Sequence, residues 1–225
     1  MKNPIQKFYE FLDRPIQPVG RVLLALAVIP LLVGVLMPLW RIHMTAPQYP
    51  GGLWVDIYSY QLVAGNRGQH LQEINTLNHY IGMHAIERAS LKDLDWLPFA
   101  LGALALLTLR LAAIGNVRMM LDHAVLSGYV LLFAFARFVY TLYHFGHDLD
   151  PTAPVRVPPF TPVIFGTRDI ANFTVTSLPR AGAYAVGVFA LTLLGVLAWH
   201  LVRGRREAER AEKAAAPATT PAPTA

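Results

Sequence analysis

Residues 73–87 read EINTLNHYIGMHAIE and lie in the longest segment of this chain that is too polar to cross a membrane. The segment divides the sequence. Around it run four apolar stretches, 22–40, 96–114, 124–145 and 181–202, each near the roughly 20 residues that a hydrocarbon core requires. This pattern predicts an all-α membrane protein of four transmembrane helices, with both termini cytoplasmic and a small mixed α/β extracytoplasmic cap.

Composition supports lipid as the solvent. Only 15% of residues are charged and 54% are hydrophobic, whereas a soluble domain carries about 25% charged residues. The absence of cysteine excludes disulfides, thiolate zinc sites and iron–sulfur clusters. Any metal must therefore be held by His, Met, Asp, Glu or backbone oxygen. The net charge of +5 comes from basic residues flanking the spans, not from a basic stripe. That points to the lipid bilayer as partner and to no nucleic acid.

Residues 1–21 carry Phe8, Tyr9, Phe11 and Leu12 ahead of Pro15 and Pro18, which predicts a short amphipathic cytoplasmic segment on the membrane surface. The stretch from Pro38 to His43 has no small-x-small cleavage pattern, so the first span is expected to remain as an anchor. The first large loop, 41–95, opens with a turn at Pro50-Gly51-Gly52. A strand is expected from Leu53 to Tyr60, then a second turn at Gly65-Asn66-Arg67-Gly68. From Glu73 the spacing of Ile74, Leu77, Ile81 and His84 predicts one face of a helix. Residues 146–180 form a proline-rich extracytoplasmic loop, and 203–225 a disordered cytoplasmic tail. With both termini inside, the inner segments hold eleven Lys and Arg residues and the longer outer loops only seven. The positive-inside rule then places both long loops outside, in the periplasm of a bacterial inner-membrane protein.

Six of the eight histidines lie in or beside those loops. His79 and Met83 are one helical turn apart and so could approach one ion, imidazole suiting copper or zinc and thioether favouring Cu(I). His84 faces away from them unless Gly82 breaks the helix. Asn78 and Tyr80 are then candidate hydrogen-bonding partners of the ligands. His43, next to Met44 beyond the first span, is a further candidate ligand, and His70 is the weakest. In a second cluster, His144, His147 and Asp148 would share a helical face at i, i+3 and i+4 if the helix continues past Gly146, with Asp150-Pro151 marking a turn. That donor set fits zinc, copper or iron. For each of these histidines the plain alternative is a polar group placed outside the spans.

Three candidates lie within the spans. Arg137 is a charge at membrane depth and is expected to pair or to hold an anion, a quinone oxygen or a haem propionate. His123 and His200, near the inner ends of the third and fourth spans, are the only pair of imidazoles there that suits haem b. No nucleophile motif, phosphate-binding loop or HExxH helix occurs, so catalysis is not the expected role. Asn172-Phe173-Thr174 fits a glycosylation sequon.

The blocks Tyr49-Pro50-Gly51-Gly52-Leu53, Ile74 to Met83 (INTLNHYIGM) and Ile170 to Ser177 resemble segments of bacterial multi-span membrane proteins. Those proteins are associated with gene neighbourhoods for nitrous oxide reductase and copper-protein maturation. The resemblance covers about half of the chain and implies a copper-handling accessory factor for a periplasmic or membrane respiratory metalloprotein. It assigns no ligand. Two alternatives remain: a redox subunit binding haem or quinone between its spans, and a metal-free structural subunit docking a partner through Trp54, Tyr58 and Tyr60.

Overall fold

The computed structural model describes residues 3–170 and 173–215. Four of its helices are long and apolar enough to span a membrane: α2 (Pro18–Leu36), α4 (Asp93–Ile114), α5 (Val117–His147) and α6 (Ala181–Ala215). They are preceded by the short α1 (Pro4–Leu12), whose Asn3 and Gln6 form a reciprocal capping box. The remaining helix is α3 (Gln69–Tyr80). Leu24, Leu31, Leu101, Leu104, Phe189 and Leu193 pack at the centre of the bundle and are almost wholly inaccessible. In contrast, α5 leaves Tyr129, Leu132, Phe133 and Phe135 on its outer surface, as expected of a helix facing lipid.

The helices α2, α4 and α5 begin three to seven residues earlier than expected, and three helix ends also differ. The first spanning helix, α2, stops at Leu36, so Trp40 opens a strand and does not close the span. Pro38 removes a helical donor just past the helix, which makes continuation unfavourable. The third spanning helix, α5, runs on to His147, carrying His144 and His147 on helical backbone. The last helix continues to Ala215, where a disordered tail was expected from residue 203. Ion pairs at i, i+4, Arg203–Glu207 at 3.0 Å and Arg205–Glu209 at 2.9 Å, support that extension. The remainder of the expected tail, 216–225, and the sequon residue Asn172 lie outside the described residues.

Both long loops build one antiparallel sheet. Its strands are β1 (Trp40–Ala46), β2 (Tyr49–Ile57), β3 (Leu62–Ala64), β4 (Gly166–Ile170) and β5 (Phe173–Pro179), in the order β3-β2-β1-β5-β4. The strand β1 is central, pairing with β2 on one edge and β5 on the other. Connectors far apart in sequence are thus hydrogen-bonded into a single cap at one end of the bundle. The expected turn at Pro50-Gly51-Gly52 lies inside β2. Gly52 has φ +73°, and the His43 ring fills the space a Cβ would need. A glycine-rich stretch here bends a strand to admit a cross-strand side chain and does not end the strand. At the other end of the strand pair, Arg41 holds the buried Asp56 through two hydrogen bonds, of 2.6 and 2.5 Å. The directly opposed charges satisfy a carboxylate that would be costly to bury alone.

Candidate metal centre and apolar cavity

The segment 73–87 is helical only in its first half. Helix α3 ends at Tyr80, because Ile81 leaves helical geometry and Gly82 takes φ +81°. Met83 N–H bonds back to Asn78 C=O at 2.9 Å, and Gly82 N–H to His79 C=O at 3.2 Å. This pair of bonds defines a Schellman motif, which needs a left-handed residue that only glycine adopts without strain. Its companion is an apolar contact from the residue after the glycine. Met83 fills that role, lining the same cavity as Leu77.

Two further bonds dock the released chain onto the loop after α5. Asp150 N–H donates to Gly82 C=O at 2.8 Å, and Val155 N–H to Tyr80 C=O at 2.9 Å. Asn75 grips the other side, bonding both the N–H (2.8 Å) and the C=O (3.1 Å) of Ile86. His84, held between these clamps, reaches the end of α5. Its Nε2 lies 2.9 Å from Asp148 Oδ2, and His144 Nε2 lies 3.4 Å from the same oxygen. The two imidazoles stack nearly parallel, 13° apart with centroids at 6.0 Å. Among the described residues, these three form the group of His, Asp and Glu side chains whose ligand atoms lie together, all within 4.8 Å of one another. All three are exposed. The hydrogen bond with His84, reinforced by the charges of His144 and His84, holds the Asp148 carboxyl below its ordinary range.

The arrangement draws one member from the first proposed cluster and two from the second. His79 and Met83 do not pair as helical spacing implied, since the helix ends between them. His79 is exposed and acts electrostatically on Asp150. Met83 turns to the cavity. His147 shares α5 with His144, but it stacks on Tyr143 at 3.7 Å and bonds the Tyr143 carbonyl through Nδ1. His43 packs against Gly52, and His70 Nδ1 accepts the Trp54 N–H at 3.3 Å.

The span residues find partners inside the protein. Arg137 Nε bonds Asp93 Oδ1 at 3.0 Å, and the guanidinium lies 5.4 Å from the Tyr140 ring centroid. Asp93, in the first turn of α4, is the partner that sequence reasoning missed. His123 Nε2 meets the Thr108 hydroxyl at 2.8 Å. His200 Nε2 accepts the Gln17 N–H at 3.1 Å while its Nδ1 bonds the Val196 carbonyl at 2.8 Å. Axial ligation of haem by either Nε2 would require breaking one of these bonds.

Beneath the sheet and α3 lies a cavity of about 700 Å³, walled mainly by carbon. Its lining runs from Val55, Ile74 and Met83 in the cap to Leu101, Leu131 and Val186 in the spans. A close-packed interior tolerates few voids larger than a water molecule, so this partly open space is a candidate small-molecule site. Comparison with protein-family models, curated proteins and solved structures finds no match for this chain.

Proposed function

We propose that the chain is a membrane-anchored metal-handling accessory protein that binds a divalent ion through His84, His144 and Asp148. One observation carries this reading: two imidazoles and a carboxylate, brought from opposite ends of a long sequence separation, converge within one coordination sphere's reach. Small side-chain rotations would replace the shared Asp148 oxygen with an ion as the meeting point. Two nitrogens and one oxygen suit Zn(II) or Cu(II), with a fourth position open to water or to a partner's ligand. The thioether of Met83 lies in the cavity lining, so the soft donor that favours Cu(I) is absent from the set. An exposed, open-sided site suits transfer of an ion better than permanent storage.

The bias of basic residues supports a site facing away from the cytoplasm. The resemblance to proteins of copper-maturation neighbourhoods supports copper as cargo and a respiratory metalloprotein as recipient. Titration of the detergent-purified protein with Zn(II) and Cu(II) tests the proposal. Stoichiometric binding is expected, lost in His84→Ala/His144→Ala and retained in His147→Ala. Equal binding by the double variant would remove the proposal. A second reading rests on the 2.9 Å bond itself, which makes the triad a metal-free latch between two loops. Cap stability that depends on Asp148 while no metal binds would select it.

A further inference from the structure

Among the described residues, the cavity lining holds one buried side-chain polar atom without a partner. Asn78 is 6% exposed, lines the cavity, and its Nδ2 makes no hydrogen bond. Buried amide groups are almost always satisfied, so an orphan donor on a side chain that lines a large space marks where a ligand acceptor belongs. Its neighbours in the lining along this segment are Ile74, Leu77, Ile81 and Met83. A water molecule needs two to four polar partners, and this apolar wall suits it poorly. Asp93, the charged residue of the lining, is already bound to Arg137.

The wall is also rich in flat rings. Trp40 lies 5.0 Å from Phe138 and 6.5 Å from Phe135 between ring centroids, and Tyr58, Phe145, Phe160 and Phe173 also contribute. Such surfaces favour a planar ligand over a bare aliphatic chain. The volume lies within the roughly 300–1,000 Å³ of small-molecule sites. Because the lining continues into the spans, a ring under the cap could extend an apolar tail between the helices toward lipid.

We propose that the cavity binds a lipid-soluble quinone, with the Asn78 amide donating to one ring carbonyl. A diacyl lipid fits less well, since its charged headgroup would find no free counter-charge among the described lining residues. The site is separate from the His84–His144–Asp148 group and is tested without metal.

The test uses quenching of Trp40 fluorescence in the detergent-purified full chain, with a decyl-substituted quinone in one arm and a brominated fatty acid in the other. The Trp40 signal is the component lost in Trp40→Phe. Saturable quenching by the quinone is expected. Asn78→Leu should weaken it about three- to tenfold, the value of one neutral hydrogen bond. Ala134→Phe, which fills the cavity from α5, should abolish it. Unsaturable quenching, unchanged affinity in Asn78→Leu, or quinone displaced by the brominated fatty acid would each overturn the proposal. Should Asn78→Leu fail to fold, full quinone binding by Ala134→Phe would overturn it instead.

Discussion

His84 Nε2 and Asp148 Oδ2 lie 2.9 Å apart although 64 residues separate them in the chain. The contact joins the segment after α3 to the end of α5, and His144 reaches the same oxygen. Removing a true ligand should cost more than the roughly 10–100-fold assigned to groups that only orient ligands. His84→Ala, His144→Ala and Asp148→Asn should therefore each lower Zn(II) or Cu(II) affinity more than about 100-fold. His79→Ala and His43→Ala should leave it within about threefold, below that range. Calorimetric titration checks the contrast, and equal losses across both groups would point to general cap damage in place of a defined site.

Gly82 governs whether His84 arrives there. A Cβ at this position would sit 2.8 Å from the Asp150 carbonyl oxygen, on a backbone at φ +81°. Left-handed geometry costs a non-glycine residue about 1–2 kcal/mol before that clash is counted. Gly82→Ala should accelerate proteolysis of the segment between α3 and α4 and weaken metal binding about tenfold, the equivalent of 1.4 kcal/mol. A variant as resistant and as tight-binding as the parent would show that the turn does not position the site.

Much of this architecture can be read from residue order, and the failures have physical causes. The four spans were visible because length and apolar continuity are local properties. The sheet was half visible: β2 overlaps the aromatic and β-branched run from Leu53 that was read as a strand. Strand β5 lies in a loop whose prolines suggested irregular chain, and its support comes from β1, more than a hundred residues away. Its signal was a period of two, with Val175 and Ser177 buried between more exposed neighbours. Sequence spacing splits the triad between two clusters because a break at Gly82, open as an alternative, does not by itself say that His84 turns toward the end of α5. The Gly82–Met83 pair was the available warning, since glycine followed by an apolar residue is how a Schellman end is written. The Arg137–Asp93 pairing had no local signal, because its partners meet only when α4 packs on α5.

That pairing should stabilise the bundle. Arg137 and Asp93 neutralise each other near the capped end of the spans, where an unpaired charge is costly. Breaking a partly buried pair from one side should cost more than removing both charges. Arg137→Met should lower the thermal midpoint in detergent, and Arg137→Met/Asp93→Asn should recover part of the loss. If the double variant is as unstable as the sum of the singles, the two side chains do not interact.

Acid should open the cap through Asp148. Its carboxyl is held below the ordinary value of 3.8, chiefly by the hydrogen bond with His84 and then by the charge of His144. A carboxylate with a depressed folded-state value contributes stability that is present above its unfolded value and disappears as pH falls through the folded one. The contact between the α3 and α5 ends should therefore persist down to about pH 4 and be lost below it. Hydrogen exchange of the Asp150 amide, which bonds Gly82 across this junction at 2.8 Å, reports the opening directly. The parent should show protection falling in that acidic window, while Asp148→Asn should show reduced protection with little pH dependence there. Protection lost already near neutral pH in the parent would mean that a group other than this carboxylate controls the junction.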